Sequence, residues 1–184
     1  KCLSYLSMLG EYDLAYAQYN NSDCMTDQFG AFQCLLDSSN TYRDEVISRF
    51  YDQHKSDAQV MDRWFSAQSV SPITSVADIR ELMKHELFSM TNPNRVRSVI
   101  GSFSRNSIQF HCEDGYQLLT EIIIKLDSMN PQIAARFVGI FNHWRRFTGK
   151  YSLLQKTELN SIINQKVLSD DVYEIVHISL KEGS

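Results

Sequence analysis

The stretch NPQIAARFVGIFNHW, residues 130–144, decides the fold class. Its large apolar residues recur every three or four positions, a spacing that places them on one face of an α-helix. They are Ile133, Phe137, Ile140, Phe141 and Trp144. Asn130 before Pro131 favours a helix start, because the amide oxygen can accept from free backbone N–H groups and proline needs no N–H in the first turn. The stretch therefore predicts an amphipathic helix that begins at Pro131.

The same periodicity recurs along the whole chain and predicts an all-α fold with essentially no strand. Clear examples are the apolar stripes in residues 46–51, 60–65, 119–126 and 172–176. The 7 glycines and 3 prolines are too few for a turn-rich β-fold. We expect about ten helices of roughly 10–16 residues with short connections. Such helices would form antiparallel hairpins, stacked irregularly into a curved superhelix within one domain spanning residues 1–184.

Polar residues mark further helix ends. Asn92-Pro93 repeats the start signal of Asn130-Pro131. Capping boxes are predicted at Thr41-x-x-Asp44 and Ser75-x-x-Asp78, with Asp in place of the usual Glu or Gln. Gly10 and Gly149 are placed where a helix could end.

Composition and charge exclude several classes of partner. The net charge of -4 gives no basic footprint for nucleic acid. The longest aliphatic run, Ile122–Ile124, is far too short to span a membrane. The 4 cysteines contain no Cys-x-x-Cys pair, and we expect reduced thiols in a cytoplasmic protein. Because Lys1 leads directly into an apolar helical pattern, we also expect a fragment of a longer chain, with its start truncated.

Two motifs resemble metal-binding sequences, and both are incomplete. His85-Glu86 begins like the zinc motif His-Glu-x-x-His, but Ser89 stands where the second histidine is needed. Glu174-x-x-His177 is a single copy of an element that di-iron bundles use twice. We therefore expect no catalytic residue, no metal site and no cofactor in this chain.

Arg97 and Arg136 are the strongest candidates for a functional site. Each lies on or beside an apolar stripe of its predicted helix, where a guanidinium group needs a carboxylate or water. One interpretation is an internal ion pair, with Glu113, Asp114 or Glu121 as the partner. The other is a water-filled cavity that both arginines line.

Several blocks resemble the C-terminal domain of the aminopeptidase N family of zinc metallopeptidases. The most specific are Met90–Ser98, Phe110–Tyr116 and Asn130–Arg136. Residues 60–65 and Cys2–Leu6 extend the resemblance over most of the chain, while residues after about 147 match weakly. The likeness is greatest to the alanyl, broad-specificity branch of the family.

This resemblance implies a non-catalytic domain of a zinc enzyme that removes N-terminal residues from peptides. The family's exopeptidase motif Gly-x-Met-Glu-Asn and its His-Glu-x-x-His motif are absent here. In that family the helical domain covers the catalytic domain of the same polypeptide and leaves a narrow path for peptide substrates. Arg97 and Arg136 match arginines that reach toward the enclosed cavity, which implies a role in substrate access.

His111 and Glu113 are candidate secondary site residues, in a loop that departs from the family pattern. Asp114-Gly115-Tyr116 is two residues shorter than the frequent Asp-Gly-x-Gly-Tyr. The residues themselves favour a capping role, since Glu113 and Asp114 stand near a predicted helix start. For the chain as a whole, the alternative function is a stand-alone helical scaffold for protein interactions.

Overall fold

The computed structural model describes residues 1–181, and every regular element in this part of the chain is helical. Residues 1–181 contain no β-strand, so the predicted all-α class is confirmed. The contacts between residues group the chain into two compact units, Lys1–Thr74 and Ser75 onward. The single domain and the superhelical stack stay predictions.

The first unit contains five α-helices around an aromatic core. The helices are α1 (Cys2–Met8), α2 (Tyr12–Asn21), α3 (Met25–Leu36), α4 (Arg43–His54) and α5 (Ala58–Val70). Helix α3 packs against α2, α4 and α5, and the ring of its Phe32 stacks on Phe50 with centroids 4.6 Å apart. Trp64 Nε1 donates to the Ile47 carbonyl at 3.1 Å, so the indole joins α5 to α4.

The second unit is built around one long helix. Its elements are α6 (Val76–Leu82), α7 (Pro93–Val96), a π-helical segment (Arg97–Gly101), α8 (Glu113–Asp127), α9 (Pro131–Val138), a 3₁₀ segment (Gly139–Arg146), α10 (Lys150–Ile163) and α11 (Asp170–Lys181). Helix α8 packs against α6, α9 and α10, and α11 packs against α9. The predicted stripe of α8 is buried, with side chains at most 1% exposed: Leu119, Ile122, Ile123 and Leu126.

Three of the four predicted helix starts are correct. The Asn92 side chain accepts from the N–H of Asn94 at 3.0 Å, and the Asn130 side chain accepts from Ile133 at 3.2 Å, each with proline in the first turn. Ser75 forms the full capping box.

The predicted capping box at Thr41 is wrong. Helix α4 begins at Arg43, and its N-cap, Tyr42, makes no side-chain capping bond. The preceding turn is held instead by Asn40, whose Oδ1 accepts from the Tyr42 N–H at 2.9 Å. This local bond comes from the residue just before the predicted N-cap, and the helix begins one residue later than the capping box would place it. Gly10 directly follows the C-cap of α1 with φ 95°, as expected, whereas Gly149, with φ 57°, precedes α10 rather than ending a helix.

The helices are less uniform than predicted. The described α-helices range from 4 to 15 residues, so the expected lengths of roughly 10–16 were too long for several of them. The helices that begin at Pro93 and Pro131 both change geometry, the first into the π-helical segment and the second into the 3₁₀ segment. Gly101 ends the π-helical segment and Gly139 begins the 3₁₀ segment. Glycine weakens a regular α-helix at such points.

No helix in residues 1–181 is long and apolar enough to cross a membrane.

Asp127 ties the end of α8 to the start of α11, and we predict that Asp127→Ala destabilises the protein. The carboxylate is only 8% exposed and accepts from the Ser169 N–H at 2.9 Å and from the Ser169 hydroxyl. Alanine would leave both donors without this partner, so urea denaturation should show a free energy of unfolding lower by about 1–3 kcal/mol.

Ser128→Ala is the matched control for this prediction. The Ser128 hydroxyl is exposed and donates only to the Lys125 carbonyl of its own helix end, at 2.9 Å. Its loss should change the free energy of unfolding by less than about 0.5 kcal/mol. Equal effects of the two substitutions would contradict the role of Asp127.

Candidate functional site

Arg97 and Arg136 line the same pocket, which has a volume of about 410 Å³. The sequence separates these residues by the whole of α8, and the fold brings them together. The floor of the pocket is apolar, with Ile133 and Phe137 only 6% and 5% exposed. The remaining lining residues are Gly101, Ser104, Arg105 and Ile140. The pocket therefore combines an apolar floor with several cations.

The elements on either side of the pocket meet at a glycine. Gly101 ends the π-helical segment that starts at Arg97, and Phe137 lies on α9. A Cβ atom added to Gly101 would lie 3.6 Å from Phe137 Cε1, which shows how closely backbone and ring approach. A π-turn inserts one residue into an α-helix and often occurs at functional sites. The inserted residue therefore changes the position of Arg97 around the helix axis relative to the residues that follow the π-helical segment.

Neither Arg97 nor Arg136 has a carboxylate partner within residues 1–181. Arg97 is exposed and donates only a long bond of 3.4 Å to the Asn94 side chain. Arg136 is exposed and makes no hydrogen bond or ion pair with the described residues. Both guanidinium groups are therefore open to water and to a ligand.

The alternative interpretation, an internal ion pair, is wrong for the described part of the chain. Glu121 accepts a bidentate pair of bonds from Arg80, at 2.8 and 2.9 Å. Glu113 is exposed and accepts from the Gln117 amide at 3.4 Å. No ion pair in residues 1–181 includes Arg97 or Arg136.

Sequence reasoning assigned no role to two other arginines, Arg95 and Arg105, of which Arg105 lines the pocket. Arg105 is exposed, lines the pocket and donates to the Ser102 hydroxyl at 3.1 Å. Arg95 is only 5% exposed, and its Nε donates to the Leu87 carbonyl at 3.0 Å. Arg95 therefore holds the preceding loop, while Arg105 adds a third cation to the pocket. The position of Arg105, two residues after Phe103, carries no periodic signal that points to a pocket.

Residues 1–181 match the family described as "Domain of unknown function (DUF3458_C) ARM repeats". The chain belongs to this family. Among curated proteins it is 34% identical to aminopeptidase N of Haemophilus influenzae, over 98% of this chain and 21% of that protein. It is also 34% identical to aminopeptidase N of Escherichia coli, over 94% of this chain and 21% of that protein. The predicted resemblance to the C-terminal domain of aminopeptidase N is confirmed.

A solved structure agrees with these relatives. The aminopeptidase A of Legionella pneumophila, determined in complex with aspartic acid, superposes with a TM-score of 0.89 and 28% identity. The match covers 97% of this DUF3458_C chain and 22% of that protein. The chain thus spans about a fifth of the length of the aminopeptidases that it matches.

His111 and Glu113, the candidate secondary residues, do not line the arginine pocket of this DUF3458_C chain. His111 Nδ1 lies 2.9 Å from the Tyr116 hydroxyl, and the His111 ring packs against Phe147 with centroids 4.9 Å apart. Gln155 donates to the same hydroxyl at 3.2 Å. Their predicted roles at the substrate path stay predictions, and the contacts of His111 are those of a partly buried packing residue.

Close packing explains the short loop around Gly115. A Cβ atom at Gly115 would lie 2.1 Å from the Phe110 carbonyl oxygen, so only glycine fits there without a shift of the backbone. The Cys112 thiol accepts from the Gly115 N–H at 3.3 Å and caps the start of α8. The loop that carries His111 and Glu113 is thus fixed by its own packing.

The two incomplete metal motifs remain incomplete in three dimensions. His85 lies beyond the end of α6, outside any helix, and the His177 ring stacks on Tyr173 with centroids 5.4 Å apart. In the described chain no three His, Cys, Asp or Glu residues are grouped as a metal site. The absence of a catalytic residue, metal or cofactor from this chain stays a prediction.

We predict that His111 makes the stability of the protein depend on pH. Burial lowers the pKa of His111, so the folded state favours the neutral ring. Burial also raises the pKa of Tyr116 to about 12, so its hydroxyl keeps the proton that a neutral His111 can accept. Stability should therefore be full above pH ~6.5, the usual histidine pKa, and decline as the pH falls below it.

The test compares the protein with its His111→Gln variant. The free energy of unfolding of each is measured by urea denaturation from pH 8 to pH 5, roughly the range over which histidine titrates. Glutamine cannot titrate, so the stability advantage of the unsubstituted protein over the variant should shrink below pH ~6.5. Burial also lowers the pKa of His85, but His85 is present in both proteins and cancels in the difference. A difference that stays constant over this range would contradict the prediction.

Proposed function

We propose that this chain is the non-catalytic C-terminal domain of a zinc aminopeptidase that removes N-terminal residues from peptides. In this proposal the domain encloses the active-site cavity, and Arg97 and Arg136 control substrate access. Membership of the family and the aminopeptidase N relatives support the proposal that the chain is a domain of an aminopeptidase. The pocket that both arginines line carries the proposal, since neither guanidinium group has a carboxylate partner in residues 1–181.

The chemistry of a peptide fits this pocket. A peptide substrate has a carboxylate at its far end, and a guanidinium fork binds a carboxylate through two parallel hydrogen bonds. The nearby positive charges also attract an anionic end before contact is made. Arg97 and Arg136 would hold the far end of the peptide while its amino end reaches the catalytic domain.

The catalytic domain of the same polypeptide is the proposed partner. Helix α1 and its C-cap residue leave large apolar side chains open to solvent, with Tyr5, Met8 and Leu9 at 69%, 79% and 81% exposure. Apolar surface of this kind is typical of an interface with another domain. The zinc ion of the enzyme would be bound in that other domain, since no group of three metal-binding side chains occurs in residues 1–181.

A cytoplasmic location, without nucleic acid or membrane as a partner, completes the proposal. All four cysteines, Cys2, Cys24, Cys34 and Cys112, are free thiols. Free thiols are typical of a reducing compartment. The two aminopeptidase N relatives, each 34% identical to this chain, favour the aminopeptidase domain over the alternative of a stand-alone interaction scaffold.

We predict that Arg97→Ala and Arg136→Ala in the full-length protein raise KM for peptides roughly tenfold, because a charge-assisted hydrogen bond to the substrate is lost. The KM for a small aminoacyl amide, which has no carboxylate, should change much less. Arg136→Lys keeps the charge and loses the fork, so its KM for peptides should fall between those of the original protein and the alanine variant.

Arg146→Ala is the control for these two variants. Arg146 is exposed in the same unit and does not line the pocket, so its removal should leave both KM values unchanged. A purely structural role would give a different pattern, in which thermal stability falls and both substrates are affected alike. That pattern, or unchanged peptide kinetics in the two alanine variants, would disprove the proposal.

A further inference from the structure

Binding of a carboxylate does not explain why the floor of the arginine pocket is apolar. Ile133 and Phe137 form the buried part of this floor, and Ile140 continues it. A site for an anion alone gains nothing from apolar walls, because hydrocarbon surface offers no hydrogen bonds to the charge. The volume of about 410 Å³ also exceeds what one carboxylate group fills.

We propose that this floor binds the side chain of the last residue of the peptide, so that the pocket prefers peptides ending in an apolar residue. This inference rests on the proposed function. The carboxylate and the side chain of that residue are attached to the same Cα atom. A carboxylate held by arginines at the rim therefore brings the side chain next to the apolar floor.

Arg105 is the third group that binds the carboxylate in this arrangement. It lines the same pocket as Arg97 and Arg136, and it donates to the neutral hydroxyl of Ser102 at 3.1 Å. Three cations around one pocket also disfavour a lysine or arginine at the end of the peptide, because like charges repel. The expected order of affinity is therefore a terminal leucine, then glycine, then lysine.

Gly101 offers a way to fill the floor without changing any charge. An added Cβ would lie 3.6 Å from Phe137 Cε1 and 3.9 Å from Arg97 Cβ, which are ordinary contact distances. In Gly101→Leu, the new leucine side chain would extend over Phe137 and occupy the space of the peptide side chain. Gly30→Leu is the matched control, since Gly30 lies within α3 in the first unit and an added Cβ there meets nothing within 4 Å.

The test measures dissociation constants by titration calorimetry on the full-length protein. The ligands are N-acetyl-Ala-Ala-Leu, its glycine and lysine counterparts, and the leucine peptide as a C-terminal amide. The acetyl group blocks the amino end, so binding depends on the far end of the peptide. We expect the leucine peptide to bind about 5–10-fold more tightly than the glycine peptide, as partial burial of a leucine side chain predicts.

The variants separate the two parts of the site. With Gly101→Leu, the leucine and glycine peptides should bind with about equal affinity, while the acid should still bind more tightly than the amide. Gly30→Leu should keep both preferences. Arg105→Ala should weaken the preference for acid over amide and leave the leucine-to-glycine ratio unchanged. Circular dichroism and thermal melts check that each variant is folded, and Gly101→Ala serves in place of Gly101→Leu if the larger residue is not tolerated.

Three outcomes overturn the inference. Equal affinities for the leucine and glycine peptides in the unsubstituted protein, or no binding of any peptide, would do so even if the arginine variants raise KM as proposed. A ratio that survives Gly101→Leu would place the preference elsewhere and also overturn it. Equal affinities for acid and amide would instead contradict the proposed function, so failures of the two proposals remain distinct.

Discussion

Burial of the apolar face of α8 is the interaction on which the second unit depends. Leu119, Ile122, Ile123 and Leu126 are almost fully buried, and helices α6, α9 and α10 all pack against α8. Each such side chain contributes about 1.5–3 kcal/mol when it leaves water, so the four together outweigh any single polar contact described above. At the end of α8, Asp127 fixes the start of α11 through Ser169. The position of α9, and with it the pocket, follows from this packing.

Helix α9 serves both the core and the pocket. Ala134 and Val138 are fully buried, while Ile133 and Phe137 are nearly buried and form the pocket floor. Arg136 lies beside them and is exposed. Because residues three and four apart share a helix face, an arginine next to Ile133 and Phe137 stays at the edge of the apolar surface. A cation that can reach water at such an edge avoids the cost of burial without an ion pair.

The fold class and the helix starts could be predicted from the sequence because they depend on local rules. Periodicity placed the buried stripe of α8, and the asparagine-proline pairs placed the starts of α7 and α9. Changes of helix type could not be predicted, because a π-turn depends on the tertiary packing around Gly101 as well as on propensity. Sequence spacing also identified Arg97 and Arg136 as unusual cations and left open whether a carboxylate or water faced them. Only the fold decides this: Glu121, one of the three carboxylates considered as a partner, is bound to Arg80.

Arg95 and Arg97 show why a sequence block alone cannot assign roles within the site. They are two positions apart, so they point to different sides of the helical backbone. Arg95 is buried and bound to the Leu87 carbonyl, whereas Arg97 is exposed at the pocket. The same residue type therefore stabilises a loop in one position and, in the other, offers an exposed guanidinium group that has no carboxylate partner in residues 1–181. Because the three pocket arginines lie outside the buried core, their charges can be removed with little loss of packing. The pocket chemistry and the fold of the second unit are thus physically separable.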